Sequence, residues 1–138
     1  MYKRQLLGPD EESEQWVAAI AQRNGLEFYV AGKERFGDSD VKVSLPVADY
    51  RGRHIVLVDD VVSTGHTLAA ACSELKRYQP ASISVMVTHA LFVDDALQRI
   101  RLAGADKVWS CDSVSHSTNQ IELAATLAQA IKLARAGG

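Results

Sequence analysis

Apolar residues along the chain fall into short β-branched runs that alternate with stretches of helical period. Residues 27–31, 55–59, 82–88 and 107–111 are apolar nearly throughout, which is the pattern of strands buried on both faces. Between them, residues 13–23 place Trp16, Val17 and Ile20 on one helical face, and 67–78 group Leu68, Ala71, Cys72 and Leu75. Residues 94–102 bring Leu97 and Ile100 together, and a last helix over 122–134 carries Leu123, Leu127, Ala130 and Ile131. Strands alternating with helices of about three turns predict an α/β fold: an open, doubly wound parallel sheet with right-handed crossovers and helices on both faces. Ligands of such sheets bind beyond the carboxyl ends of the strands.

One segment has neither period. Residues 32–40, "GKERFGDSD", hold two glycines and five charged residues between apolar stretches, and an exposed, mobile loop is expected there. The closing Arg135-Ala136-Gly137-Gly138 reads as a frayed end, and no repeat or low-complexity stretch is present.

Composition narrows the function classes. The 138 residues, 47% hydrophobic and 23% charged, suit one soluble domain over 1–138 with a substantial core. A formal charge of -2 without a Lys/Arg cluster argues against nucleic acid and against an anionic membrane surface. No apolar run is long enough to span a bilayer, and Met1-Tyr2-Lys3-Arg4 is not followed by a signal-type hydrophobic region, so a cytoplasmic location is expected. Cys72 and Cys111 lack metal-ligand spacing and read as buried free thiols.

The chemistry concentrates in residues 54–71, "HIVLVDDVVSTGHTLAAA". A buried strand ends in two carboxylates, a hydroxyl- and glycine-containing turn follows, and an apolar helix begins. The turn Ser63-Thr64-Gly65-His66-Thr67 runs into a helix N-terminus, whose unpaired N–H groups and positive dipole end attract an anion. Gly65 can take a positive φ and let the backbone curl around a phosphate. Asp59 and Asp60, just before the loop, can accept hydrogen bonds from the hydroxyls of a sugar whose 5-phosphate occupies it. The bland alternative is a strand-end pair followed by an ordinary helix cap at Ser63 or Thr64.

"VLVDDVVSTGHTL" resembles the phosphoribosyl pyrophosphate motif of type I phosphoribosyltransferases and of the pyrophosphokinases built on the same fold. The order "GPDEES", "GKERFGD", the two-aspartate loop, "VTHALF" and "VWSCDSVSH" resembles the carboxyl-terminal half of ribose-phosphate pyrophosphokinases over nearly the whole chain. That resemblance implies transfer of the diphosphoryl group of ATP to ribose 5-phosphate, giving phosphoribosyl pyrophosphate. It implies that Lys33 and Arg35 sit on a loop closing over ATP and sugar, that Asp10 binds the catalytic Mg2+, and that the protein is a homo-oligomer. As bare residues, Lys33 and Arg35 could be a solvated charged pair, and Asp10 a turn residue after Gly8-Pro9. His66 could line the phosphate loop, whereas structural roles suit His89 and His116 better.

Two departures stand out. Ser63 occupies a position where typical pyrophosphokinases carry an aspartate, and Glu11-Glu12-Ser13-Glu14 replaces a glycine-rich continuation. The family's amino-terminal half supplies much of the adenine pocket and a histidine ligand for magnesium, so this chain by itself is expected to keep the sugar-phosphate loop and to lack turnover. Two other readings share the loop: a nucleobase phosphoribosyltransferase, which needs a base-binding hood, and a non-catalytic sugar-phosphate-binding regulatory subunit.

Overall fold

The computed structural model describes residues 4–37 and 39–137. Asp38 of the charged segment, the start Met1-Tyr2-Lys3 and the terminal Gly138 lie outside the described residues. In chain order the elements are β1 (Arg4–Gly8), a single 3-10 turn (Glu11–Ser13), α1 (Glu14–Asn24), β2 (Glu27–Val30), β3 (Gly32–Arg35), β4 (Val41–Ser44) and β5 (His54–Val62). They continue through α2 (His66–Lys76), β6 (Ser82–Ala90), α3 (Ala96–Leu102), β7 (Lys107–Cys111), β8 (Asn119–Ile121) and α4 (Ala124–Gly137).

Six strands form one sheet in the order β2-β1-β5-β6-β7-β8, and every neighbouring pair is parallel. Helices α1, α2 and α3 supply the crossovers from β1 to β2, β5 to β6 and β6 to β7, whereas residues 112–118 join β7 to β8 without a helix. The doubly wound architecture read from the alternating pattern is therefore the one observed. Helices α1, α2 and α3 fall close to their predicted spans; β1 and β8, five and three residues long, were not anticipated.

Alternate residues of the central strand divide the core. Ile55 and Leu57 point into the larger cluster, where Leu68, Cys72 and Leu75 of α2 meet Ile83, Val85 and Ile100. Val56 and Val58 face the other way, toward Leu6 and toward Val17 and Ala21 of α1. Helices thus lie on both faces, but the second face is covered chiefly along β1, β2 and part of β5. In β6 the consequence is visible residue by residue: Ile83, Val85 and Val87 are buried, whereas Ser84, Met86 and Thr88 are half-exposed.

Four sequence expectations need correction. Residues 32–40 are not a structureless loop: Gly32–Arg35 pairs antiparallel with Val41–Ser44, and Val43 of this ribbon packs into the larger core beside Tyr50. The strands 82–88 and 107–111 are not buried on both faces, because among the described residues no helix covers the far side of β6 and β7, whereas Val58 of 55–59 is buried against α1. In α1 the buried pair is Val17 and Ala21, while Trp16 and Ile20 stand 44% and 40% exposed. The last helix buries no residue at all. Cys72 is a buried thiol as expected, and Cys111 is half-buried.

Leu57 is fully buried at the centre of the larger cluster. Leu57→Ala is expected to cost about 2–5 kcal/mol of unfolding free energy, because the packed neighbours cannot collapse into the gap. Urea denaturation of the two proteins measures it.

Candidate functional site

At the carboxyl ends of β1 and β5 the chain leaves in opposite directions, β1 toward α1 and the β2 edge, β5 toward α2 and the β6 side. A crevice opens where neighbouring strands diverge in this way. Here it is a cleft of about 220 Å³ lined by Asp10, Lys33, Arg35, Asp59, Asp60, Ser63, Thr64, Gly65, His66 and Thr67, joined by Glu12. All ten residues singled out from the sequence meet at this one place; Glu12 was not among them.

The loop between β5 and α2 is braced from behind. The carbonyls of Val62 and Ser63 accept the N–H groups of Leu91 and Val93 at 3.0 and 3.1 Å, and the Thr64 carbonyl accepts a guanidinium N–H of Arg99. Arg99 is held in turn by Asp95 at 3.0 Å. No sequence signal pointed to Arg99, which reaches the loop from α3 across 35 residues. Gly65 takes φ 77° and ψ 5°, the left-handed region expected of it. The reason for glycine lies on the braced side: a Cβ would come within 3.1 Å of Ile100 Cδ1 and 3.2 Å of the Ala96 carbonyl.

Helix α2 begins at His66 with no side-chain cap and no acidic residue in its first turn. The positive end of its dipole is therefore uncompensated by its own side chains, and its leading N–H groups open beside the exposed hydroxyls of Ser63 and Thr64. An oxyanion fits this end of the cleft.

Carboxylates crowd the opposite wall. Asp60 N–H donates to Asp59 Oδ1 at 2.9 Å and Val61 N–H to Asp60 Oδ1 at 2.8 Å, so the aspartates serve backbone donors at the strand end. Burial pushes the Asp59 carboxyl up to about 7; the Asp10 and Asp60 charges push the same way, and the Asp60 N–H pulls it down. Asp10, nearly buried, accepts the Ser13 N–H at 3.2 Å, capping the 3-10 turn, and pairs with Lys33 Nζ at 2.8 Å. Lys33 thus leads from the hairpin straight to the sheet's carboxyl edge, while Arg35 lines the cleft one strand pitch further out.

Among the described residues no group of three His, Cys, Asp or Glu side chains is placed to hold a metal ion. A magnesium ion that keeps waters and phosphate oxygens needs one or two carboxylates, so the donor set of Asp10, Asp59 and Asp60 fits that kind of binding and not a protein-built cage. The histidines outside the cleft are tied down: His89 Nδ1 meets Ser113 Oγ at 2.7 Å, and His116 Nδ1 meets Thr118 Oγ1 at 2.9 Å, its ring 4.6 Å from that of Phe92.

A model of the phosphoribosyl transferase domain matches residues 3–128. The chain belongs to this family. The phosphoribosyl transferase domain here is 28% identical over 127 residues to a ribose-phosphate pyrophosphokinase of Methanopyrus kandleri, spanning 92% of this chain and 44% of that protein. It is 30% identical over 118 residues to the ribose-phosphate pyrophosphokinase of Thermoplasma acidophilum, 86% of this chain and 41% of that one. The chain thus spans less than half the length of these curated relatives. Among solved structures, phosphoribosylpyrophosphate synthetase from Mycobacterium smegmatis superimposes with a TM-score of 0.77 at 23% identity, over 99% of this chain and 46% of that one. A hypoxanthine phosphoribosyltransferase from Staphylococcus aureus gives 0.60 at 14% identity, over 79% and 61%. Both likenesses are of fold.

Two outcomes follow from this geometry. A carboxyl raised to about 7 in the folded state and ordinary in the unfolded chain leaves the folded protein holding the extra proton between about pH 4 and 7. Stability relative to Asp59→Asn should therefore fall as pH rises through that window, and carboxyl NMR should show Asp59 titrating near its upper end; an ordinary carboxylate midpoint would contradict the arrangement. Gly65→Ala should destabilise by about 1–3 kcal/mol, since it forces a left-handed alanine against Ala96 and Ile100, and thermal unfolding reads this directly.

Proposed function

We propose that this chain is the ribose-5-phosphate-binding part of a ribose-phosphate pyrophosphokinase. The observation that carries the reading is the single cleft in which an uncapped helix N-terminus, a hydroxyl-bearing glycine loop, two adjacent aspartates and the hairpin cations Lys33 and Arg35 converge. Its relatives in Methanopyrus and Thermoplasma bear that activity's name.

In this reading the 5-phosphate of the sugar sits on the N–H groups of the α2 start and the hydroxyls of Ser63, Thr64 and Thr67, with His66 beside it. Asp59 and Asp60 accept hydrogen bonds from the ribose hydroxyls, and this orients the 1-hydroxyl toward the β-phosphorus of ATP. The 1-hydroxyl oxygen bonds to that phosphorus, the bond from it to the bridging oxygen of the α-phosphate breaks, AMP leaves, and the hydroxyl proton is lost. Negative charge spreads over phosphoryl oxygens as this happens, and Lys33 and Arg35 are the cations positioned to stabilise it. Mg2+ bound through Asp10 and the phosphates would neutralise further charge on the transferring group.

Lys33 pairs with Asp10 at 2.8 Å. The Lys33 ammonium thus stands at the carboxylate that would hold Mg2+, and the two cations would share the charge of the transferring group. Since the chain spans less than half of its relatives, groups for the adenine and for full catalysis come from outside it, and its own share is sugar-phosphate recognition.

Amide NMR shifts on titration with ribose 5-phosphate and Mg2+ test the reading. Shifts should cluster over residues 59–67, and Thr64→Val, which removes one hydroxyl donor at nearly constant shape, should weaken binding about 10-fold. Absence of shifts in that loop at millimolar sugar phosphate would overturn it; nucleotide formation from phosphoribosyl pyrophosphate and a free base would point to a nucleobase transferase instead.

A further inference from the structure

Three successive carbonyls of the β5–α2 loop are held from one side. Those of Val62 and Ser63 accept the N–H groups of Leu91 and Val93 at 3.0 and 3.1 Å, and that of Thr64 accepts the Arg99 guanidinium. All three donors belong to the connection after β6 and to α3, and no residue of 91–99 lines the cleft. No peptide bond among the described residues is cis, and in a trans peptide the N–H points opposite to the carbonyl. The N–H groups of Ser63, Thr64 and Gly65 are therefore turned away from α3, to the side where the cleft lies. With the leading N–H groups of α2 they form one row of donors of the kind an anion takes.

The first two carbonyls are held by main-chain donors, beyond the reach of side-chain changes. The third is held by a side chain, and at the peptide with the greatest freedom. The Thr64–Gly65 peptide turns over by rotation about the Thr64 ψ and the Gly65 φ, and glycine populates positive and negative φ about equally. Gly65 stands on the positive side, at φ 77°. Glycine by itself does not select that side. Turned over, the same peptide would present its carbonyl oxygen to the cleft and repel an anion. The guanidinium on the Thr64 carbonyl makes the selection.

Arg99 is itself held for this task. Its other terminal nitrogen donates to Asp95 Oδ1 at 3.0 Å, so one planar fork serves two acceptors. Asp95 stands at the N-cap of α3, where an aspartate ordinarily accepts a helix N–H, yet its side chain makes no capping bond. The carboxylate holds Arg99 instead. A basic residue in the last turn of a helix is favoured by the dipole alone. An N-cap aspartate diverted to orient it is the observation that sets this pair apart.

We propose that Arg99 is a positioning residue for phosphate binding: through the Thr64 carbonyl it keeps the Gly65 N–H presented to the cleft, and Asp95 keeps Arg99 in place. The inference rests on the sugar-phosphate reading of the cleft. Arg99 acts through the backbone and from behind it, without lining the cleft itself.

Arg99→Met keeps the apolar stem and removes both donors, Arg99→Lys keeps the charge without the fork, and Asp95→Asn weakens the hold on Arg99 with little change to α3. In the full chain, N–H residual dipolar couplings and the Gly65 HN–Hα couplings report the orientation of the Thr64–Gly65 peptide. Titrations with ribose 5-phosphate and with inorganic phosphate give the affinities. In Arg99→Met the Gly65 couplings should move toward an average of two orientations while those of residues 69–75 stay as in the wild type, and both ligands should bind about 10–100-fold more weakly. Arg99→Lys should fall between, and Asp95→Asn should show a smaller change in the same direction. Wild-type couplings and affinity in Arg99→Met would overturn the proposal. So would weaker binding with unchanged Gly65 couplings that Arg99→Lys restores in full, which would make Arg99 a source of charge only. Failure of the wild type itself to bind either ligand would instead overturn the reading of the cleft, and this inference with it.

Discussion

The parallel pairing of β1 with β5, Leu6 opposite Val56 and Leu7 opposite Leu57, is the constraint on which the cleft depends. The two strands lie side by side but send the chain to opposite flanks of the sheet, so nothing local fills the space above their carboxyl ends. Asp10 arrives there from one strand and Asp59 from the other. Break that pairing and the two carboxylates, 49 residues apart by number, would have no reason to share a field. The raised Asp59 carboxyl reports that they do share one, since Asp10 is among its causes.

Charge in the cleft is arranged in opposition. One wall gathers the acids, the other offers a helix N-terminus with neither a capping side chain nor an acidic first turn. The Lys33–Asp10 pair ties the acidic wall to the β3–β4 hairpin. In water such a contact contributes little, but here both side chains are largely withdrawn from solvent, so attraction and desolvation are both large and nearly offset each other. A pair near balance can be exchanged for a ligand's charges without dismantling the fold, and this is the property a binding cleft needs.

How much of this could be read from the sequence follows the range of the interactions. The β5–α2 loop was legible because its strand, acids, hydroxyls, glycine and helix are contiguous over residues 54–71. The positive φ of Gly65 was legible as well, but not its cause, the close approach of Ala96 and Ile100 from α3. Arg99 could not be found at all: an arginine in the last turn of a short helix looks like any solvated cation, and its bond to the Thr64 carbonyl exists through tertiary packing alone. The β3–β4 hairpin was hidden by charge. Lys33, Glu34 and Arg35 mask one strand, and the alternation of Val41 and Val43 that would have revealed the other is too short to stand out. In α1 the periodicity marked the apolar residues and not which of them the protein's own sheet would cover, so Trp16 and Ile20 were assigned to a core that ends just short of them.

That boundary separates two halves of the molecule with different degrees of independence. The loop over residues 62–65 is anchored through Leu91, Val93, Arg99 and Ile100, all belonging to the connection and helix packed on the larger core. None of those braces comes from the face left open beside α1. The loop end of the cleft therefore owes its shape to the side of the sheet that carries α2 and α3. Asp59 and Asp60 differ, for they also border an open groove with Thr88 and His89. Burial is the largest cause of the raised Asp59 carboxyl, so the exposure along that side bears directly on its protonation. The loop is thus held by packing that the chain itself supplies, whereas the charge state of Asp59 depends on how far water reaches it from the open side.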